Sequence, residues 1–366
     1  MNPFQYGGVV QGDQFCDRTR EVRELRRDIA NGLNVLVYAP RRFGKTSLVR
    51  TVVAEQPLLV VFFDLMRVVD KQEFVQAYFH AISNSLERSA DRVMRVLKDA
   101  LRFRPQVSVT FDQAGNPLFS LTIAPGEEQQ VTDEVLTLPL QIAERRRKRI
   151  LIVFDEFQEI VRLGIEGALR STIQSHGSDV SYLFMGSKKS IMERLFLEKD
   201  APFFKSVKHI PLSPIAPTEW QPFLAHRFSR EGKSVSRAAI DAILAITGGF
   251  PYYTQQIAYE LFELVEDAAN EDAVARAVDE VIAKEEDFFL LEWDSLAAMQ
   301  KKALRLVANV GPFSIYSKAA LARFTMTAST LKKAVDGLIA KDVIDRTGEG
   351  WYFQDPLFAH YVRTRL

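Results

Sequence analysis

The sequence predicts an α/β protein: a doubly wound parallel-sheet core, then a helical segment, then a small helix-and-hairpin module. Three observations predict it. Short, mostly apolar runs at 34–38, 58–64, 150–154 and 180–185, with a fifth strand expected at 207–212, alternate with helical stretches, as strands covered on both faces do. A proline-rich passage, Pro211, Pro214 and Pro217, is followed by residues 218–290, which read as helix throughout. Finally, two or three short helices precede VIDRTGEGWYF, Val343 to Phe353, a hairpin pattern with a Gly-containing turn.

The elements follow in order. Residues 15–31 read as a polar-faced helix closed by Gly32, and NVLVY at 34–38 is the first buried strand. APRRFGKTSLVRTVVAE turns sharply into a helix, and LLVVFFD at 58–64 is the second strand. Residues 71–101 and 133–148 read as helical, the latter ending in the basic run Arg145 to Arg149. Between them, residues 106–123 alternate around Asp-Gln-Ala-Gly-Asn-Pro, a β-hairpin inserted into the core at about 104–125. ILIVF, VSYLFM and Val207 to Leu212 complete the sheet. The expected domains are 1–215 for the core, 216–292 for a helical lid and 293–366 for a winged helix-turn-helix. Within the lid, Thr247-Gly248-Gly249-Phe250-Pro251 must break a helix, because glycine costs ~1 and proline ~3 kcal/mol in a helix interior. Pro251 suits the first position of the next helix.

Composition narrows the function. Lys plus Arg, 47, equals Asp plus Glu, 47, so any surface for a polyanion is local. One cysteine, Cys16, supports neither a disulfide framework nor a cysteine-based zinc site and fits a reducing compartment. The N-terminus lacks the pattern of a signal peptide, and no apolar stretch reaches the ~18 residues of a membrane span. A cytoplasmic protein with no membrane association is expected. No histidine pair has metal-ligand spacing and no catalytic triad is legible.

Two motifs carry the chemistry. Ala39-Pro40-Arg41-Arg42-Phe43-Gly44-Lys45-Thr46 has the spacing G-x-x-x-x-G-K-[ST], with alanine at the first glycine. A loop of backbone N–H groups at a helix N-terminus cradles phosphates. Gly44 gives the loop its conformation, a solvent-facing Lys45 reaches the β- and γ-phosphates, and the Thr46 hydroxyl ligates Mg2+. The second motif, Ile150 to Glu156, ends a buried strand in two acids, at the sheet edge where ligands of open α/β sheets bind. Asp155 would hold Mg2+, mostly through water, and Glu156 would polarise the attacking water. The same pair also reads as an N-cap and a first-turn helix acid. After the fourth strand, Ser187 of Gly186-Ser187-Lys188-Lys189 either sits between water and the γ-phosphate or merely ends the strand. The run Arg145 to Arg149 reads as a solvated helix end.

Together these strings resemble the archaeal-type ATPase family, close to the STAND ATPases among the AAA-related P-loop proteins. Pro40 to Leu48 matches the family loop apart from Ala39, with Ser47 included. Phe15, Arg18 and Glu21 resemble its upstream F-x-x-R-x-x-E element, with Asp17 replacing the usual glycine. Asp155-Glu156, Gly186-Ser187, Gly249-Phe250-Pro251 and Asp355-Pro356-Leu357-Phe358 resemble further family signatures. The resemblance implies an ATPase core, a helical lid and a C-terminal winged helix. It also implies Phe15 and Arg18 beside the adenine and Pro251 touching the nucleotide. No arginine finger is placed; Arg170 and Lys205 are candidates.

The expected activity is hydrolysis of ATP to ADP and phosphate with Mg2+, in a switch whose winged helix reports nucleotide state. Two alternatives remain at this level: a nucleotide-gated DNA-binding protein with incidental turnover, and a protein-interaction scaffold. Residues 296–366 hold eleven Lys/Arg against five Asp/Glu, whereas 257–294 hold two against thirteen. The basic module permits DNA contact, and the acidic helices could neutralise it within the chain. Whether the partner is DNA or protein, and whether the chain forms oligomers, stays open.

Overall fold

The computed structural model describes residues 1–16, 18–86, 89–101, 106–347 and 350–366. Asp17 of the upstream element, residues 87–88 of the expected 71–101 helix, the start of the hairpin insertion at 104–105 and the 348–349 turn of the last hairpin lie outside the described residues. These residues form two compact units: Thr19–Pro40 with Lys45–Leu212, and Met1–Arg18 with Arg41–Gly44 and Ser213–Leu366.

The first unit is the α/β core. Its elements are α1 (Thr19–Ala30), β1 (Val35–Tyr38), α2 (Lys45–Val53), β2 (Leu59–Asp64), α3 (Lys71–Leu86), α4 (Ala90–Ala100), β3 (Gln106–Phe111), β4 (Pro117–Thr122), α5 (Glu128–Arg146), β5 (Ile150–Asp155), α6 (Glu166–Ser175), β6 (Val180–Gly186), α7 (Lys189–Phe196) and β7 (Lys208–Pro211). The expected five strands form one sheet in the order β2-β5-β6-β1-β7, with every neighbouring pair parallel. The mostly apolar character of the inner strands follows from this topology, since all of β6 and the first five residues of β5 are buried. Phe154, Phe184, Phe157, Phe196 and Phe203 pack against one another between sheet and helices. The hairpin β3–β4 is antiparallel, and it docks on α3 where Leu121 N–H donates to Gln76 Oε1 at 2.9 Å. The helix expected over 15–31 begins only at Thr19, after a short 3-10 turn at Gly12–Gln14.

The second unit holds α8 (Pro217–Arg230), β8 (Ser234–Val235), α9 (Arg237–Thr247), α10 (Pro251–Leu264), β9 (Ala268–Ala269), α11 (Glu271–Asp294), α12 (Ala298–Val310), α13 (Lys318–Arg323), α14 (Ala328–Ala340), β10 (Ile344–Thr347), β11 (Gly350–Phe353) and α15 (Pro356–Thr364). Residues 218–290 are thus not purely helical, because β8 and β9 form a two-residue parallel bridge. Local chemistry sets the helix starts: Ser236, Asn270, Ser317, Thr327 and Asp355 each cap a helix through the side chain. The N-terminal segment belongs here, with Phe4 buried against Phe228 and Phe262. The break at 247–251 is as expected: α10 starts at Pro251 with Phe250 as N-cap. Gly249 is required there, at φ +76°, since a Cβ would lie 2.4 Å from the Ile215 carbonyl oxygen. Its own carbonyl accepts from Ile215 N–H and Trp220 Nε1–H, both at 3.1 Å.

Candidate functional site

In the core unit the candidate residues gather at the C-terminal edge of the sheet. Strand β1 ends at Tyr38 and leads into the phosphate loop, while its neighbour β6 ends in Gly186 and the next strand, β5, ends in Asp155. Ala39 is buried, and its N–H donates to the Gly186 carbonyl at 3.4 Å. The loop then starts α2 at Lys45. Lys45 is not solvent-facing as expected; it is 7% exposed. Its ammonium donates to the carbonyls of Ala39 at 2.8 Å and Pro40 at 2.9 Å. An ammonium with three donors and no acceptor suits that place, because the loop turns its carbonyls inward there.

Thr46 and Asp155 meet although 109 residues separate them: Thr46 Oγ1–H donates to Asp155 Oδ2 at 3.1 Å. The second Asp155 oxygen accepts from Glu156 N–H at 2.9 Å. Burial, and next the adjacent Glu156 carboxylate, push the Asp155 carboxyl above the usual range, although these hydrogen bonds and Lys45 oppose the shift. A hydroxyl and a desolvated carboxylate within bonding distance are hard oxygen donors that fit Mg2+, whose charge would relieve that desolvation.

Glu156 sits in the left-handed region, at φ +48° and ψ +48°, where a non-glycine residue carries strain. It is the N-cap position of a 3-10 helix at Phe157–Leu163 without any side-chain capping bond. The simple helix-start reading of the acid pair therefore does not hold. Glu156 Oε2 instead accepts from Ser187 Oγ–H at 2.7 Å and from Gln158 Nε2–H at 2.5 Å. Gln158 Oε1 in turn accepts from Ser187 N–H at 3.3 Å. The three side chains form a closed polar ring that fixes one carboxylate oxygen. Sequence reasoning missed Gln158, which is buried. Its signal was a polar residue two positions beyond the acid pair amid apolar Phe157 and Ile160.

Of the remaining candidates, Pro40 and Ser47 belong to the core unit, while Phe15, Arg18, Arg41, Arg42, Phe43, Gly44 and Pro251 belong to the second unit. Arg42, at φ +66°, donates to Tyr253 Oη at 2.8 Å and pairs with Asp355 at 3.3 Å. Asp355 also caps α15 through Leu357 N–H and Phe358 N–H. The Phe43 ring lies edge-on to Phe250 at 4.5 Å, immediately before Pro251. Arg18 is 1% exposed, and its guanidinium donates to the carbonyls of Ser213 at 2.8 Å and Phe43 at 3.1 Å. It thus braces the loop segment through backbone. Phe15 follows the 3-10 turn, with its N–H on the Gly12 carbonyl at 3.0 Å. Ser47 is buried in the first turn of α2.

A parallel sheet whose interior strand opens into a Gly-Lys-Thr loop, with one strand between it and a strand that runs into two acids, is the architecture of the P-loop ATPases. Comparison with known proteins narrows this. An ATPase domain found predominantly in Archaea matches residues 15–257, and a probable winged helix domain matches residues 288–364. The chain belongs to that archaeal ATPase family. Among solved structures it is similar to the Walker-type ATPase PAby2304 of Pyrococcus abyssi, at 16% identity and a TM-score of 0.66 over 99% of both chains. It also aligns with the RuvB Holliday junction branch migration motor of Thermotoga maritima, at 16% identity, TM-score 0.47 and 95% of both chains. Cdc6p of Pyrobaculum aerophilum aligns at 15% identity, TM-score 0.47 and 96% of both chains. These last two likenesses are too distant to carry an argument. No curated protein sequence matches the chain. Among the described residues no helix is long and apolar enough to cross a membrane.

Proposed function

We propose that the chain binds Mg-ATP at the 39–47 loop, hydrolyses it to ADP and phosphate, and signals the nucleotide state through its winged helix. The observation that carries this reading is the Thr46–Asp155 contact at 3.1 Å, which joins the phosphate loop to the acid strand. Backbone N–H groups of residues 41–47 receive the phosphates, and the Lys45 ammonium moves from the Ala39 and Pro40 carbonyls to phosphate oxygens. Thr46 and Asp155 would hold Mg2+, which when bound would neutralise charge on the phosphate oxygens. Glu156 accepts a proton from the attacking water, and Ser187 and Gln158 hold its carboxylate in place. Phe15, Arg18 and Pro251 complete the nucleotide-reading residues.

Coupling is supported by Arg42, a phosphate-loop residue whose guanidinium is bonded to Tyr253 of α10 and Asp355 of the winged helix. A change in loop conformation on nucleotide binding alters those two bonds, which is the differential contact that a switch requires. Phosphate release is the test, measured with Mg2+ and with a chelator. Limited proteolysis around residues 284–296, with and without Mg-ATP, reads the coupling. Turnover that is metal-independent and unchanged in Thr46→Val would overturn the site assignment. A proteolytic pattern blind to nucleotide would overturn the switch. A second reading, nucleotide-gated nucleic-acid binding, is favoured by the exposed Lys332 and Lys333 on α14.

A further inference from the structure

The β3–β4 hairpin inserted into the core has two unequal edges. Antiparallel pairing turns the backbone groups of alternate residues toward the partner strand and away from it. Asp112 N–H donates to the Asn116 carbonyl at 3.0 Å and closes the hairpin. Counting back along the register, Ser108 and Thr110 face β4, while Val107, Val109 and Phe111 point their N–H and C=O outward. On β4 the residue opposite Val107 is Leu121, whose backbone also points outward, and α3 seals it. Gln76 accepts from Leu121 N–H at 2.9 Å and donates to the Leu121 carbonyl. Nothing comparable covers β3. The hairpin is a two-stranded sheet, and among the described residues no hydrogen bond reaches the outward groups of Val107, Val109 or Phe111.

This bare edge lacks the devices that keep sheet edges apart. Residues 106–111, Gln-Val-Ser-Val-Thr-Phe, hold no charge, proline or glycine. Their pairing with β4 runs over six positions without a bulge. One face of the hairpin packs on the core through Val107, Val109, Phe119 and Leu121, and the other shows Ser108, Thr110 and Ser120 to solvent. Phe111, at the end of the strand, is 61% exposed.

A second copy of the same strand fits this edge. The outward groups belong to three residues centred on Val109. An antiparallel copy turned about a twofold axis through Val109 sets Val109 opposite itself and Val107 opposite Phe111 of the other copy, which gives about six N–H···O=C bonds. Each exposed Phe111 then falls beside a valine on its own face of the sheet. In sequence Arg102 and Arg104 precede the strand and Asp112 follows it. An antiparallel copy therefore meets opposite charge at both ends, and a parallel one meets like charge.

We infer that the outer edge of β3 joins two copies of this chain, antiparallel about Val109, into a continuous four-stranded sheet. The inference needs neither nucleotide nor the switch proposed above. A single strand pair is a small interface beside the roughly 1,200 Å² of stable complexes. The dimer should therefore form with a Kd on the order of 1–100 µM. Sedimentation equilibrium of the full chain across that range should show the mass rising from 41.6 kDa toward twice that value. In the paired sheet Ser108 of one copy lies opposite Thr110 of the other on the solvent face, where like charges repel. Ser108→Lys/Thr110→Lys and Ser108→Glu/Thr110→Glu should each raise Kd by about tenfold or more, and an equimolar mixture of the two should dimerise again. Both variants change exposed side chains, and unchanged melting temperatures confirm that they fold. Val109→Pro removes an N–H that the hairpin itself does not use and should weaken association as strongly. A wild type that stays monomeric throughout the range, charged variants that dimerise like wild type, a mixture that stays monomeric, or growth past two copies overturns the inference.

Discussion

Glu156→Gln isolates chemistry from architecture, because the polar ring around residue 156 gives both a predicted size. The substitution keeps volume, the left-handed backbone and an acceptor oxygen, but removes the charge. Glu156 Oε2 receives two hydrogen bonds, from Ser187 at 2.7 Å and Gln158 at 2.5 Å. Hydrogen bonds to a charged acceptor are worth about 1.5–3 kcal/mol and neutral ones about 0.5–1.5, so each bond weakens by about 1 kcal/mol. The upper bound is about 2 kcal/mol, and the half-buried position lowers it further. The melting temperature should fall by no more than a few degrees. Turnover should fall far more, by about 10²- to 10⁴-fold, the range for a removed general base. Mg-ATP affinity, measured with a fluorescent analogue, should stay within about threefold, because the loop and Lys45 are untouched. Single-turnover phosphate release together with that titration separates the two effects. Normal turnover with a lowered melting point would show that Glu156 serves only the polar ring and that the base lies elsewhere.

Three further perturbations follow from the geometry. Lys45→Ala should weaken ATP binding by about 30-fold or more; it should also lower the melting temperature, because the Ala39 and Pro40 carbonyls lose their donor. Titration and a thermal melt on one preparation check both effects, and wild-type affinity would remove Lys45 from the phosphate site. Gly249→Ala should destabilise the fold by about 2 kcal/mol or more, since it adds a Cβ 2.4 Å from the Ile215 oxygen at φ +76°; a chemical denaturation curve matching wild type would refute that close approach. Glu292 is pushed up to about 7, chiefly by burial and secondarily by Asp355, with Arg42 opposing. A folded pKa above the unfolded one means that the folded state gains a proton as pH falls from about 8 to 5. Wild type should therefore gain stability relative to Glu292→Gln over that window, by a few degrees in paired melts; a pH-independent difference would place Glu292 in solvent-like surroundings.

The parts legible in the sequence are those fixed by local chemistry or continuous burial. Strands such as Ile150–Asp155 and Val180–Gly186 announce themselves because both faces are covered, so apolar residues dominate them, with Ser181 the one polar residue inside. Pro251 after two glycines fixes a helix start without reference to anything distant. What was not legible depends on residues far apart in the chain. Lys45 reads as an exposed loop charge, yet inward-turned carbonyls bury it. Gln158 has no motif spacing, and only the approach of β6 gives it Ser187 as a partner. Arg18 gives no local sign of its partners, since its guanidinium donates to carbonyls 25 and 195 residues away. The two-residue bridge between β8 and β9 is too short for any periodicity to register.

The strand order has a consequence for how the chain is made. Val35 of β1 pairs with Leu183 on one side and Lys208 on the other, so the strand that leads into the phosphate loop has no neighbour until about 150 residues have followed it. Translation at about 5–20 residues per second leaves that strand waiting roughly 7–30 s after it is made. During that interval its apolar edge is open to pairing with other chains, as late-forming parallel sheets generally are. The loop cannot take its final curvature until β6 and β7 close around β1. The core sheet is complete only once its last strand, ending at Pro211, has been made, so any ligand specific for the folded core can stabilise it only from then on.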